Sequence, residues 1–394
     1  MFNRITIGLY IMVCLAGCHS TSTLQNIRVA TFNVSMEAGN YVQQGENVSG
    51  NELSIHLASG GHSQIQNIAE IIQRNKPDII LLNEFDYLSS SVTDIRAFID
   101  NYLSVPQNGS QAAVYPYFYS APVNTGLDSG LDLDKDGVAS GSHGDAFGFG
   151  AYPGQYGMLV LSKFPILKGD VRTFQTFLWK DMPNNLLTSI KDESGEAYFN
   201  QAAQNILRLS SKSHWDIPID INGVTLNLLA SHPTPPVFDG PENRNGKRNH
   251  DEIRFWTDYI SDEQQAAYIY DDLGAKGGFS GKHFVIVGDL NASPVEGDGE
   301  KAGIQGLLSH PRVNDSFIPE SEGAKLHTIN NSYAGQHTAF WRMRADYVLP
   351  SNSLGVLNSG VFWPTKDDLT YKLIKDRKSS SDHRLVWVDI KVKP

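Results

Sequence analysis

The apolar residues of the chain are concentrated in short runs separated by polar segments. Seven runs have the length and β-branched composition of buried strands: IRVATFNV, DIILLNEF, YGMLVLS, VTLNLLASH, HFVIVGD, ADYVLP and RLVWVDIKV. Two other segments, SQIQNIAEIIQRN and the region around HDEIRFWTDYI, have the spacing of amphipathic helices. Strands and helices that are interspersed in this way predict a mixed α/β fold.

Polar residues that could act in catalysis or bind a metal lie at the ends of these predicted strands. Asp289 and Asn291 follow the run FVIVG, and residues two apart in extended chain point to the same side. The same placement recurs elsewhere, with Asn33, Glu84 and His232 after strands and Asp346, Asp382 and His383 before them. One sheet edge could therefore collect all of these side chains. For the Asp289 segment alone, an Asx turn that satisfies local backbone groups is the competing interpretation.

The first twenty residues, MFNRITIGLYIMVCLAGCHS, have the features of an export signal. Arg4 precedes an apolar stretch that is short for a membrane span, and the small-residue sequence LAGC ends at Cys18. This segment resembles a bacterial lipoprotein signal, which implies a signal peptide over 1–17, acylation of Cys18 and a flexible tether over 18–26. An ordinary secretory signal is the alternative. Both predict an exported protein facing the periplasm or the cell exterior, and the first predicts a lipid anchor in the membrane.

Charge and cysteine content narrow the possible functions. The formal charge is −11, and removal of Arg4 with the signal leaves 31 basic and 43 acidic residues, or −12. Such a balance disfavours nonspecific binding to nucleic acid, which depends on clustered lysine and arginine. The only cysteines, Cys14 and Cys18, lie in or beside the signal, so we expect a mature domain without a disulfide. No repeat or linker divides residues 27–394, and we expect one domain and a monomer.

The order of motifs along the chain identifies a resemblance. TFNV, PDIILLNE, LVLSKFPI, LLASH, GDLNASP, RADYVL and SSDH occur in the order found in the endonuclease/exonuclease/phosphatase superfamily, which includes pancreatic deoxyribonuclease and bacterial sphingomyelinases. The resemblance spans residues 27 to 391. It implies a four-layer α/β sandwich of two packed mixed β-sheets flanked by helices. It also implies a phosphoric ester hydrolase that depends on a divalent metal ion.

Cleavage of a phosphate ester requires a hard cation, a positioned water molecule and stabilisation of charge on the phosphate oxygens. Oxygen ligands suit Mg²⁺ or Mn²⁺. The resemblance implies that Glu84 is the principal metal ligand, and it places Asn33 within reach of the metal or of a phosphate oxygen. We also expect Asp382 to lie near the metal. Asn83 stands where relatives commonly carry glutamine.

The remaining motif residues are predicted to act on water and phosphate. A histidine that does so needs its second ring nitrogen held by a carboxylate, and the resemblance pairs His383 with Asp346 in this way. Asp289 would orient or deprotonate the attacking water, and Asn291 would donate its amide to the phosphate. His232 would hydrogen-bond a phosphate oxygen or protonate the leaving group, although SHPTPP departs from the usual sequence after this histidine.

A long insert near residues 88–155 contains DLDKDG, which matches the start of an EF-hand loop. Asp132, Asp134 and Asp136 are therefore candidate ligands of a structural Ca²⁺. The twelfth loop position is His143 instead of glutamate, so Asp145 or another remote carboxylate would have to complete the site. The alternative is a solvated acidic turn.

A second insert near residues 233–252 holds a basic cluster in an otherwise acidic chain. Arg244 and Arg248 could bind a substrate phosphate, and surface pairing with Asp239, Glu242 or Asp251 is the alternative. Together these features predict a secreted phosphoesterase that prefers small phosphate esters to nucleic acid. An extracellular nuclease of the same superfamily and a catalytically silent binding lipoprotein on this fold are the alternative functions.

Overall fold

The computed structural model describes residues 25–43, 46–88 and 91–393. Its strands are β1 Gln25–Met36, β2 Ile79–Phe85, β3 Tyr117–Tyr119, β4 Met158–Ser162, β5 Arg172–Thr173, β6 His214–Ile221, β7 Val224–Ser231, β8 His283–Asp289, β9 Asp346–Pro350, β10 Gly355–Val361 and β11 Val386–Val392. Its α-helices are α1 Glu52–Ser59, α2 Ser63–Asn75, α3 Ser91–Phe98, α4 Gln201–Ile206, α5 Arg244–Tyr259, α6 Glu263–Ala266, α7 Lys301–Leu308 and α8 Glu322–His327. The predicted signal peptide, with Cys18, lies outside the described residues.

The strands form two mixed sheets. The first has the order β10-β11-β1-β2-β4-β3, and the second has the order β5-β6-β7-β8-β9. Only β1 with β2 and β7 with β8 are parallel among the described pairs, and the other neighbours are antiparallel. Gln25 and Asn26, which were predicted in the tether, already pair with Val392 and Lys391 as the start of β1.

The two sheets pack face to face, and helices cover their outer faces. Successive side chains of β8 point into two different cores. Val285 and Val287 lie in the core between the sheets, together with residues of β1 and β2. Phe284 and Ile286 point the other way, into a second core with α5 and α7. Helix α2 covers the first sheet through one isoleucine face. The predicted four-layer α/β sandwich is confirmed.

Both predicted inserts contain regular structure. The 88–155 segment supplies α3 and then β3, which pairs with β4 at the edge of the first sheet. The 233–252 segment runs directly into α5, so Arg244 and Arg248 occupy the first two turns of a helix that packs on the second sheet. No helix in the described part of the chain has the length and apolar character needed to cross a membrane.

Candidate active site

Four strand ends bring the predicted residues together. Asn33 near the end of β1 is the cross-strand neighbour of Asn83 on the parallel strand β2, and Glu84 follows. In the second sheet, Asp289 at the end of β8 pairs directly with Asp346 at the start of β9. The facing pairs β1–β2 and β8–β9 place these four ends at the same edge of the sandwich. The predicted convergence at one sheet edge is therefore what the structure shows.

Asn33 connects the carboxylates of the two sheets. Its Nδ2 donates to Glu84 Oε1 at 3.0 Å and to Asp289 Oδ2 at 3.1 Å. Its Oδ1 accepts from the backbone N–H of Ser35 at 3.1 Å. The amide nitrogen thus occupies the position between the carboxylates, where positive charge is favoured. Desolvation raises the pKa of the Glu84 carboxyl group above its ordinary value, although the hydrogen bond from Asn33 opposes this.

The two carboxylate oxygens of Asp289 make different contacts, one with the local backbone and one with the other residues of the site. Oδ1 accepts from the backbone N–H of Asn291 at 3.0 Å, which is the Asx contact considered for this segment. Oδ2 faces Asn33 and lies 3.4 Å from Nε2 of both His232 and His383. Burial alone would raise the pKa of Asp289, but His383 and His232 hold it well below its ordinary range. The two interpretations of this segment therefore describe different oxygens of one carboxylate.

His383 forms the predicted pair with Asp346. Nδ1 lies 2.9 Å from Asp346 Oδ2, which also accepts from Thr338 Oγ1 at 2.7 Å. Burial opposes a charged imidazole, yet the carboxylates of Asp346 and Asp289 outweigh it and raise the pKa of His383 to about 10. This histidine is an imidazolium at neutral pH. The edge of its ring meets Trp341 in a T-shaped contact with centroids 4.7 Å apart.

His232 has the opposite electrostatic environment, although it touches the same oxygen of Asp289. Burial and the nearby charge of Lys212 lower the pKa of His232 to about 4. Its Nδ1 is buried and has no hydrogen-bond partner among the described residues. His232 is therefore neutral at pH 7 and could accept or donate a hydrogen bond according to its tautomer.

Backbone strain accompanies the site. Glu84 and Asn291 have φ values of 57° and 52°, and Ser35, which holds Asn33, has 48°. Left-handed backbone at residues other than glycine costs about 1–3 kcal/mol each and is concentrated at functional sites. The side chain of Asn291 donates to the carbonyl of Pro233 at 3.2 Å, which ties the β8 loop to the segment after His232.

Asp382 borders this cluster. Ser35 Oγ donates to its Oδ1 at 3.4 Å, and Arg377 lies 3.6 Å from its Oδ2. Its negative charge raises the pKa of Glu84, which shows that the two carboxylates are near one another. The oxygen donors of Glu84, Asp289 and Asp382 have the chemistry that a hard divalent cation such as Mg²⁺ or Mn²⁺ requires.

Two side chains at the site had no predicted role: the sequence did not single out Lys212, and it marked Asn83 only as a departure from relatives. Lys212 precedes β6 and is buried, and within the described ranges its Nζ has no hydrogen bond or ion pair. Burial lowers the pKa of Lys212, and the charges of Glu252, Glu84 and Asp289 oppose this effect. Asn83 is the second: its Oδ1 accepts from the backbone N–H of Asp289 at 3.1 Å, so it joins β2 of one sheet to β8 of the other.

The predicted arginines do not enter the cluster. Arg248 is held by backbone carbonyls, with Nε donating to Leu209 at 2.9 Å and Nη2 donating to Phe147 at 2.7 Å and to Arg208 at 2.9 Å. Arg244 pairs with Glu242, which is the surface pairing considered from the sequence. Neither guanidinium contacts a residue of the Asp289 cluster.

The three aspartates of the DLDKDG segment do lie together. Asp132, Asp134 and Asp136 each offer an oxygen, all within 4.8 Å of one another. Asp145 does not complete them, because its Oδ1 accepts from the N–H groups of Leu133 and Asp134 and its Oδ2 accepts from Ser140. The loop therefore presents three carboxylates, with the fourth committed to its own backbone.

The arrangement of the two sheets defines this chain as an α/β sandwich of the phosphoesterase and nuclease type. Residues 30–383 match the model of the Endonuclease/Exonuclease/phosphatase family, and the chain belongs to that family. No curated protein sequence matches the chain.

Several solved structures are similar at low sequence identity. An endonuclease/exonuclease/phosphatase from Beutenbergia cavernae is 15% identical with a TM-score of 0.49, over 93% of this chain and 72% of that one. The human Nocturnin catalytic domain with bound sulfate is 14% identical, with a TM-score of 0.45 and coverage of 94% and 97%. A Staphylococcus aureus beta toxin mutant with bound magnesium ions is 13% identical, with a TM-score of 0.45 and coverage of 92% and 99%.

Proposed function

We propose that this chain is an exported, divalent-metal-dependent phosphoesterase that hydrolyses phosphate esters by in-line attack of water, without a covalent enzyme intermediate. One observation carries the proposal: a single oxygen of Asp289 faces Asn33, His232 and His383 within 3.4 Å. An ionised acceptor surrounded by two histidines and an amide is suited to position water beside a phosphate and to stabilise the charge that develops.

The protonation states suggest separate roles for the residues. His383, charged at neutral pH, would donate from Nε2 to a non-bridging phosphate oxygen, and Asp346 would hold its ring. Asp289, whose pKa is depressed, remains ionised and would accept a hydrogen bond from the attacking water and orient it. Neutral His232 would hydrogen-bond the phosphate or the leaving group. Asn291, placed beside them, would donate its amide to the phosphate.

Glu84 would be the principal ligand of Mg²⁺ or Mn²⁺, with Asn33 and Asp382 beside it. Bound metal would supply Lewis-acid polarisation of a phosphate oxygen. Asn33 would contribute its amide oxygen only after rotation of the amide, because its nitrogen now faces the carboxylates. The side chains at this site suit a divalent cation because Glu84 and Asp289 offer carboxylate oxygens.

We also propose small phosphate esters as substrates in preference to duplex DNA. The predicted mature chain carries a charge of −12, and a duplex-binding surface gains affinity from several lysine and arginine contacts to phosphate. The two arginines considered for this role are occupied by Glu242 and by backbone carbonyls. A monomer anchored through acylated Cys18 would act on such esters outside the cytoplasm.

The test is a turnover panel of bis-nitrophenyl phosphate, sugar phosphates, sphingomyelin, oligonucleotide and plasmid, with Mg²⁺ or Mn²⁺ and with chelator. We expect chelation to abolish turnover and His383→Ala to lower kcat by about 10² or more. His310→Ala, a histidine outside the site that contacts Ser261, is the control. Failure on every ester by protein that still unfolds cooperatively would favour the silent binding lipoprotein. Efficient plasmid degradation with a steep salt dependence would favour the nuclease.

For the DLDKDG segment we propose a structural Ca²⁺ held by Asp132, Asp134 and Asp136, since three converging carboxylates repel one another unless a cation is present. Addition of Ca²⁺ should raise the melting temperature of the wild-type protein and leave Asp134→Ala with Asp136→Ala unchanged. An equal rise in both proteins would show that calcium acts elsewhere.

A further inference from the structure

A pocket of about 500 Å³ lies between the start of α2 and the segment 372–379. Lys372, Lys375 and Lys378 line it. All three lysines are exposed, and within the described residues none of their Nζ atoms has a hydrogen bond or an ion pair. The single acidic residue at the pocket, Asp376, uses Oδ1 to accept from the N–H and Oγ of Ser379. Asp376 also interacts electrostatically with Lys375 and Lys378, so three lysines and one aspartate leave the pocket with an excess of two positive charges in a chain of net charge −11.

This lysine pocket is unlike the other basic cluster of the protein. The guanidiniums of Arg244 and Arg248 are already bound to Glu242 and to backbone carbonyls, so neither is free for an anion. The three lysines of the pocket are exposed instead, so their ammonium groups are accessible to an anion from solvent. Lysine binds phosphate as a mobile point charge and does not require a preset bidentate geometry.

The lysine pocket and the active site share one stretch of backbone. Ser379 lines the pocket, and Asp382 follows three residues later, a span of at most about 10 Å in extended chain. Asn67 fixes the carbonyl of Ser379 at 2.8 Å. Gln64 fixes the carbonyl of Ser380 at 2.7 Å and that of Val34, between Asn33 and Ser35, at 3.0 Å.

An arginine of the same basic segment contacts a residue at the border of the active site. Arg377 lies within the same basic segment, and its Nη1 is 3.6 Å from Asp382 Oδ2. The pocket and the residues around His383 are therefore joined by a short stretch of backbone that hydrogen bonds hold in place.

We propose that the lysine pocket binds a second phosphate group of the substrate. This inference rests on the proposed function and refines it: the preferred substrate is a small ester with two phosphates, one cleaved and one bound. Such a substrate satisfies three lysines, whereas a duplex would need many more contacts than this surface offers. A phosphate at the pocket would lower KM and leave the chemical step unchanged, because it lies outside the reacting group.

The experiment compares a thymidine dinucleotide with and without a terminal phosphate, in the presence of Mg²⁺, at low ionic strength. We expect the terminal phosphate to raise kcat/KM about tenfold or more, mainly through KM. The double variant Lys375→Met with Lys378→Met should lose this preference and keep wild-type turnover of bis-nitrophenyl phosphate, which has one phosphate. Lys276→Met with Lys282→Met, two exposed lysines in the segment before β8, is the charge-matched control and should keep the preference. An equal kcat/KM for the two dinucleotides, or a preference that survives the double variant, overturns the proposal.

A binding measurement separates this inference from the proposed function. In metal-free protein, calorimetry with inorganic pyrophosphate should show binding to the wild type and a loss of about tenfold or more in the double variant. If no ester is hydrolysed, the proposed function fails, and lysine-dependent pyrophosphate binding would still support an anion pocket. Pyrophosphate binding that is absent, or is the same in both proteins, overturns the pocket. Lysine-dependent binding without a turnover preference in an active enzyme shows an anion site that does not serve the substrate, and this also overturns the proposal.

Discussion

Replacement of Asp346 by asparagine tests the electrostatic basis of the site. Two carboxylates stabilise the His383 imidazolium, Asp346 at 2.9 Å from Nδ1 and Asp289 at 3.4 Å from Nε2. Against the penalty of burial they raise its pKa from 6.5 to about 10, a preference for the charged form of about 5 kcal/mol at 1.36 kcal/mol per unit. Asp346 is the larger favourable contributor, so Asp346→Asn should lower the pKa of His383 by about two units.

The titration is measured by NMR of the imidazole nitrogens in metal-free protein, where only the chain sets the charge of His383. We expect the wild-type imidazole to remain protonated through pH 8 and the Asp346→Asn imidazole to titrate near pH 8. In the Mg²⁺ enzyme, kcat on bis-nitrophenyl phosphate at pH 8 should fall by about 10² or more, because the histidine loses its orientation and about half of its charge. Asp315→Asn removes an equal charge from a surface pair with Arg344 and should change neither quantity.

The raised pKa of His383 also determines how the free energy of unfolding depends on pH. A folded pKa above the unfolded value stabilises the protein fully below pH 6.5, and this contribution is lost as pH rises through about 10. Asp346→Asn should therefore flatten the alkaline side of the stability profile. A wild-type His383 that titrates near 6.5, or a midpoint and kcat unmoved by Asp346→Asn, would refute the reasoning.

Three further predictions follow from the charges of the site and core. Glu84→Gln should weaken Mg²⁺ binding, read from the metal dependence of turnover, by about tenfold or more with no loss of melting temperature. Lys212→Met should raise the pKa of His232 in the NMR titration and lower kcat, while the melting temperature stays equal or rises, since an unpaired buried ammonium costs free energy. His214, neutral because burial lowers its pKa to about 4, favours the fold above pH 6.5 and loses that contribution as pH falls toward 4. Between pH 6.5 and pH 4 the wild type should therefore lose about 3 kcal/mol of unfolding free energy that His214→Phe keeps. Urea titration at several pH values measures this difference.

Local sequence pattern predicted the parts of the fold whose burial is regular. The helix SQIQNIAEIIQRN occupies Ser63–Asn75 as predicted, because its isoleucine face packs on the first sheet. The strand HFVIVGD occupies His283–Asp289, because both of its faces are buried, one in each core. The residues at the strand ends converge because the carboxyl ends of the parallel strands β1 and β2 lie side by side and the end of β8 pairs with the start of β9. The sequence marked the strand ends, whereas the pairing of these distant strands is tertiary.

The strand β6 shows why the rest could not be predicted. Pro218 interrupts the sequence HWDIPIDI and normally argues against an inner strand. In the structure β5 pairs only with Trp215 and Asp216, and beside Pro218 the outer side of β6 meets only an isolated bridge between Ile166 and Ile219. Pro218 takes part there as an acceptor, from the backbone N–H of Leu167 at 2.9 Å, so its missing N–H is not required. Arg248 is a similar case, since its three carbonyl acceptors come from distant loops. Both depend on tertiary neighbours, which short windows of sequence do not contain.

The least predictable feature is the asymmetry of the two histidines at the site. His232 and His383 are buried and contact the same oxygen of Asp289 at 3.4 Å, so motif and distance would assign them the same state. Their pKa values are nevertheless about 4 and about 10, because Lys212 adds positive charge beside one and Asp346 adds negative charge beside the other. A neutral and a charged imidazole on one carboxylate provide a neutral group and a proton donor within a single site. This difference arises from Lys212, which precedes β6, and from Asp346 at the start of β9, and the motif histidines by themselves do not determine it.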